Sequence, residues 1–135
     1  GILGIVEASS AKYANVQSIL NTNSNINAKI KNTNYFGSLT WNGSDFTTVQ
    51  LEDIPRLVPL MVGDTIVTGA MSSIFPENIP IGVIKKFDLN TSQSFYQIDV
   101  GLFNDMTNIR NVYLIGNLDR AEILELQTSI EDGQE

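Results

Sequence analysis

Two neighbouring carboxylates, Glu52 and Asp53, are the side chains of this 135-residue chain whose types would best serve a reaction. A pair of acids flanking a glycosidic bond can work as general acid and as base or nucleophile. Adjacent side chains in a strand point to opposite faces, so Glu52 and Asp53 cannot both face one bond without a local bulge. The plain reading is two solvated groups at a strand end. The chain has no histidine and no cysteine. Nucleophilic triads built on imidazole are therefore excluded, as are thiolate nucleophiles, disulfides and the common zinc ligand sets. No catalytic residue, no cofactor and no metal site is expected. Trp41, beside Asn42-Gly43, is the best residue for stacking on a sugar ring. With one tryptophan and four tyrosines in the chain, the aromatic supply for a carbohydrate-binding module is thin. The one adjacent basic pair, Lys85-Lys86, reads as a solvated strand end.

Charge narrows the partners. The formal net charge is −7, with 8 Lys+Arg against 15 Asp+Glu. Much of the acidity sits in the last eighteen positions, where Asp119, Glu122, Glu125, Glu131, Asp132 and Glu135 face a single Arg120. The preceding body is nearly neutral and carries no Lys/Arg cluster, a poor match for a phosphate backbone, so no nucleic acid partner is expected. No run of about 20 apolar residues crosses the sequence.

The elements that would position these groups are short strands. Runs of Val, Ile, Thr, Tyr and Phe recur between Gly, Asn, Asp and Pro, the pattern of a sandwich or barrel. Strands are predicted over Ile2–Glu7, Val16–Leu20, Ile26–Lys31, Tyr35–Trp41, Phe46–Leu51, Thr65–Thr68, Ile81–Phe87, Phe95–Phe103 and Asn111–Gly116. Ile26, Ala28 and Ile30 alternate with Asn27, Lys29 and Lys31, so one face is buried and one is wet. Asn42-Gly43 predicts a tight primed hairpin turn between Leu39-Trp41 and Phe46-Thr48. Val62-Gly63-Asp64-Thr65 is a turn opening a strand. Phe75-Pro76-Glu77-Asn78-Ile79-Pro80-Ile81-Gly82 reads as a turn and an extended arm, because each proline fixes its own φ and pushes the preceding residue to extended geometry. Asn78 fits a left-handed position.

Leu51–Asp64, with Pro55 and Pro59, reads as a crossover between barrels. Asn21-Thr22-Asn23-Ser24-Asn25 is a polar connection, and the sequons at Asn42 and Asn90 are chance matches in an asparagine-rich chain. Beyond residue 117, Asp119 with Glu122 resembles a capping box. Ile123, Leu126 and Ile130 follow near helical spacing, which predicts a short C-terminal helix with an acidic face. Because Gly1–Val6 already reads as a strand, any targeting or anchoring segment is expected upstream of residue 1.

Four motifs taken in order resemble the rod shape-determining MreC family. They are Ile26-Asn27-Ala28-Lys29 leading into Tyr35-Phe36-Gly37-Ser38-Leu39-Thr40-Trp41; Leu51-Glu52-Asp53-Ile54-Pro55; Val62-Gly63-Asp64-Thr65-Ile66-Val67-Thr68-Gly69; and Phe75-Pro76 through Ile79-Pro80-Ile81-Gly82. Two departures stand out. Asn78 occupies a place where the family usually has Gly, and Gly69 follows Thr68 directly where the family often has Ser-Gly, so the loop Ala70–Ile74 is expected to differ in shape. The resemblance implies an all-β fold of two small packed β-barrels, Greek-key-like, the first near chymotrypsin-like topology. On that basis residues 1–52 are assigned to the first barrel, 53–117 to the second with its last strands able to return to the first, and 118–135 to an acidic helical tail.

The resemblance further implies a non-catalytic scaffold of the cell-wall elongation complex, exposed to the periplasm and held at the inner membrane by an anchor outside this sequence. It implies self-association into a dimer or filament. It also implies binding to a class B penicillin-binding transpeptidase, to MreD and to other elongation-complex proteins. Tyr35, Phe36, Phe75, Pro76, Ile79, Pro80 and Ile81 are the candidate partner or self-association residues, each weighed against a simple place in the barrel core. A peptidoglycan-binding module, resting on Trp41, is the alternative.

Overall fold

A computed structural model describes residues 1–72, 74–89 and 94–116 of the chain. These residues form eight strands and no helix: β1 (Gly4–Ser9), β2 (Ala14–Ser18), β3 (Ile26–Ile30), β4 (Phe36–Thr40), β5 (Thr48–Glu52), β6 (Thr65–Thr68), β7 (Pro80–Asp88) and β8 (Gln97–Leu102). The protein is all-β, and β3 to β8 close into a barrel in the order β3-β4-β5-β8-β7-β6, every neighbouring pair antiparallel. Two three-stranded meanders, β3-β4-β5 and β6-β7-β8, are joined edge to edge by the β5–β8 and β3–β6 pairings. Closure leaves the barrel without a free edge.

The period-two pattern explains the core. In β3 Ile26, Ala28 and Ile30 are buried while Asn27 and Lys29 lean outward. Ile98 and Val100 of β8 point inward against Val49 and Leu51 of β5, with Asp99 on the outside. Ile54 and Val58 from the β5–β6 connection and Ile66, Ile81 and Ile84 complete the cluster. Positive φ shapes the turns on either side of β6. Gly63 (φ 97) sits in the turn before β6, braced by the amide of Met61 donating to Asp64 Oδ2 at 3.0 Å. Asn78 (φ 71) adopts the left-handed conformation expected of it.

The boundary expected at 52/53 falls between the two three-stranded halves of this one barrel, because β5 finds its second neighbour in β8 and β3 finds its own in β6. The stretch Leu51–Asp64 carries the chain across one end of the barrel, from β5 to β6. Outside the barrel, β1 and β2 pair only with each other, with an irregularity between Val6 and Ala8. Asn111–Gly116, predicted as a ninth strand, makes no strand ladder; its side chains from Val112 to Ile115 are all exposed. The helix predicted over the acidic tail, and the sequon at Asn90, lie outside the described residues.

The β4–β5 hairpin is present but its turn is not the tight one predicted. The ladder runs from Ser38↔Glu52 to Thr40↔Gln50, and residues 41–47 form a longer loop. Asn42 Oδ1 accepts from the Ser44 amide (3.0 Å) and hydroxyl (2.9 Å), and Asp45 Oδ1 accepts from the Thr47 amide (2.8 Å) and hydroxyl (2.7 Å). Two successive side-chain turns thus replace the two-residue backbone turn, and Phe46 leaves the strand for the loop.

Candidate interaction surfaces

Register divides the candidate residues between the two ends of the barrel. Tyr35 and Phe36 stand where β3 gives way to β4. At the same end the chain leaves β5 and enters β6, and here the Lys31 amide donates to Thr65 O at 2.9 Å and the Arg56 amide to Ser94 O at 2.9 Å. Phe75, Pro76 and Ile79 lie at the opposite end, between β6 and β7, and Pro80 opens β7 there. The seven residues therefore do not form one patch.

Tyr35 and Phe36 are exposed, so their side chains can meet a partner. Three residues that the sequence reading did not single out share their end: Leu57 (89% exposed), Met61 and Val62. The clue was available in Leu-Val-Pro-Leu-Met-Val, an apolar run that Pro59 bars from a central strand. Large aliphatic side chains in a connection cannot all reach the core, and some must face solvent.

At the other end a buried threonine organises the arm. Thr68 is 0% exposed. Its hydroxyl donates to Pro76 O at 2.6 Å and accepts from the Ile79 amide at 2.8 Å, while its backbone exchanges bonds with Asn78 and Ile79. Lys29 of β3 adds an ion pair to Glu77. So held, the arm lays Phe75 and Ile79 half-buried against the core and turns Pro76 and Pro80 outward. Ile81 is 1% exposed and belongs to the core. The β6–β7 ladder is irregular here, pairing Ile66 with Gly82 and Val67 with Pro80; Ile81, the extra residue between them, is buried in the core and offers no surface to a partner.

Phe75 and Ile79 also line an apolar groove of about 480 Å³. Its other walls are β1 from Gly4 to Val6, Val16 of β2, and Ile109 with Val112–Ile115. Asn104 Nδ2 donates to Ile2 O at 3.0 Å and ties the ribbon to the barrel across this groove. Tyr113, 97% exposed, leaves an aromatic ring at its mouth.

The residues offered for chemistry do not converge. Glu52 ends β5 and Asp53 turns away from it with φ 68; both are exposed. Among the described residues no group of three Asp or Glu stands close enough to hold a metal ion. The lowered pKa values belong to Asp45 and Asp105, each held below the usual carboxylate range first by the hydroxyl and then by the amide of the threonine two residues on. Trp41 is half-buried against the core, with its Nε1 donating to Asp45 O at 2.9 Å. It is a poor sugar platform; the exposed ring beside it is Phe46, stacked on it with centroids 6.3 Å apart.

A family model described as rod shape-determining protein MreC, barrel core, matches residues 1–116. The chain belongs to the MreC family. A curated relative, the cell shape-determining protein MreC of Escherichia coli (strain K12), is 29% identical over 72 residues, which cover 53% of this chain and 20% of the relative. Two solved MreC structures share the fold. That from Pseudomonas aeruginosa is 18% identical with a TM-score of 0.75, over 82% of this chain and 70% of its own. That from Listeria monocytogenes is 25% identical with a TM-score of 0.72, over 80% of this chain and 53% of its own. The chain thus spans about a fifth of the curated MreC relative and between half and three-quarters of these solved chains. Among its described residues no helix is long and apolar enough to cross a membrane.

Proposed function

We propose that this MreC-family barrel is a non-catalytic scaffold in the periplasm that maintains rod cell shape by self-association, as a dimer or filament, and by holding peptidoglycan-synthesis proteins. A class B penicillin-binding transpeptidase and MreD are the partners proposed, with the whole protein held at the inner membrane by an anchor outside this sequence. The observation that carries the reading is the distribution of apolar surface. The barrel has a complete core of its own, yet large apolar side chains remain exposed at both its ends and along Asn111–Gly116. Apolar surface left outside a finished core marks a place where another chain sits. Tyr35 and Phe36 form one such surface, and Phe75, Pro76, Ile79 and Pro80 with the adjoining groove form the other. Aromatic residues are favoured anchors at interfaces because they bury a large area for two rotatable bonds.

Light scattering over a concentration series tests the reading. The mass rises with concentration, and Val112→Asp with Ile115→Asp, which charge the groove without touching the barrel core, holds it at the monomer. A mass that stays monomeric in the unaltered chain, together with no binding of a purified class B transpeptidase, overturns the proposal.

A further inference from the structure

We propose that the apolar groove is a slot for one extended strand, and that a second copy of this chain fills it with its own residues 111–115, so that two chains interlock as a closed dimer. This rests on the self-association reading and gives it a geometry.

The groove runs along an open strand edge. Residues 1–6 line it without a break, whereas β2 contributes only Val16. The face of a ribbon would present alternate residues of both strands; an unbroken run marks the free edge of β1. Register identifies the groups that stand on that edge. The Ile19 amide donates to Leu3 O at 3.0 Å, and Gly4 lies opposite Ser18 and Ile5 opposite Gln17. In the alternation of an antiparallel pair Leu3 and Ile5 then bond to β2, while Gly4 and Val6 turn their N–H and C=O away from it, towards the groove. Among the described residues no backbone partner meets them.

The opposite wall is equally unfinished. Residues 111–115 line it one after another and run without turn or bend. Val112, Tyr113, Leu114 and Ile115 are all exposed, so neither face of the segment is covered. No backbone hydrogen bond joins it to another described element. Two strand-like segments therefore border one groove of about 480 Å³ without bonding across it. Each has a row of main-chain donors and acceptors to satisfy, and what satisfies such a row is another extended backbone.

The lining also selects the side chains of the occupant. It contains no Asp, Glu, Lys or Arg, so a charged side chain would lose its hydration without gaining an ion pair. Residues 111–115, Asn-Val-Tyr-Leu-Ile, meet both requirements: they are uncharged, and their backbone lacks a neighbour. Placed in the slot of a second copy, they lie between that copy's β1 and its own residues 111–115. Two-fold symmetry fills the first slot by the same act. One sheet results, in the order β2, β1, the second copy's segment, the first copy's segment, and then β1 and β2 of the second copy. Each segment becomes a central strand bonded on both edges. No slot is left over, so assembly at this surface stops at two copies.

Light scattering, disulfide trapping and amide exchange on the full chain test the interlock. The mass is expected to rise to that of two copies, and added salt does not lower it, because no charge lines the slot. Leu114→Pro removes an amide and is barred from a central strand. It weakens the dimer about tenfold or more, the size of two backbone hydrogen bonds. It leaves the melting temperature of the dilute protein unchanged, since Leu114 is exposed and outside any ladder there. Centring the five residues on the two-fold sets Tyr113 opposite its counterpart, with about 4.5–5.5 Å between Cα atoms, within reach of a disulfide. The chain has no cysteine, so Tyr113→Cys oxidises to a covalent dimer. Tyr13→Cys, at an 80% exposed position in the turn of the ribbon, stays monomeric under the same conditions. The Gly4 and Val6 amides gain protection as the dimer forms.

A mass that stays monomeric overturns self-association, and the interlock with it. A mass that rises while Leu114→Pro has no effect and Tyr113→Cys gives no covalent dimer overturns the interlock alone. Growth past two copies that Leu114→Pro abolishes overturns the closed form. Gly4 and Val6 amides already protected in the dilute monomer overturn the second copy in favour of an occupant from the same chain. Protection gained only on adding a purified class B transpeptidase overturns it in favour of that protein.

Discussion

The barrel and the ribbon are built from the same kind of strand and end in opposite situations. In the barrel each strand has two neighbours and its inward side chains are sealed: Leu51, Ile66 and Val100 are all 0% exposed. In the ribbon β1 and β2 have one neighbour each, and Val6 and Val16 remain exposed. A two-stranded sheet is marginal alone in water, and an open edge is a template for another strand. The difference teaches that closure, rather than strand propensity, separates a self-sufficient body from a region that leans on its surroundings. Assembly is accordingly expected on the ribbon side and at the barrel rims, and not on the sealed wall.

Substitutions that remove matching apolar groups from the two regions give the widest contrast. Leu51→Ala empties a fully buried site between β4 and β8 and costs about 2–5 kcal/mol in chemical denaturation. Val16→Ala in the ribbon costs under about 1 kcal/mol in the same assay. Equal costs would erase the distinction. Thr68→Val comes next. It keeps the shape but strands the Ile79 amide inside the arm, at about 1–3 kcal/mol, and Thr68→Ser recovers most of the loss. Smaller again is Asn78→Ala, which places an ordinary side chain at φ 71 and costs about 1–2 kcal/mol, while Asn78→Gly is tolerated.

The finest effect concerns pH. The carboxyls of Asp45 and Asp105 are held low by Thr47 and Thr107, so their folded-state pKa values lie below the unfolded ones. The contribution of these two turns is complete above the ordinary carboxylate pKa and disappears as pH falls through the depressed folded value. Thr47 and Thr107 amide shifts followed by NMR should titrate below the usual carboxylate range, and Thr47→Val should move the Asp45 midpoint back up.

Much of the barrel was legible in the residues. Alternation in Ile26–Lys31 marked the inward face of β3, and the arm from Phe75 to Gly82 carried a left-handed Asn78, as expected. What escaped was decided by contacts distant in sequence. Nothing near Thr48–Glu52 announces that β5 pairs with β8 about fifty positions on, so the order of strands around the barrel was out of reach. The Asn42-Gly43 signal was outweighed by side-chain oxygens of Asn42 and Asp45 that capture the loop amides. Val112–Ile115 has strand-forming residues without a neighbour to pair with, and propensity alone does not supply one. The surface residues were half readable: Tyr35 and Phe36 are exposed, Ile81 is core at an irregularity in the β6–β7 ladder that no local residue announces, and Leu57, Met61 and Val62 were passed over because Leu51–Asp64 was read only as a crossover.

Native-state hydrogen exchange, read strand by strand at low and high protein concentration, tests the central claim most directly. The account predicts that β3 to β8 exchange only through global unfolding at either concentration. It predicts that β1, β2 and Asn111–Gly116 exchange quickly when dilute and gain protection as concentration rises. Barrel amides that exchange as fast as the ribbon, or ribbon amides indifferent to concentration, would contradict it.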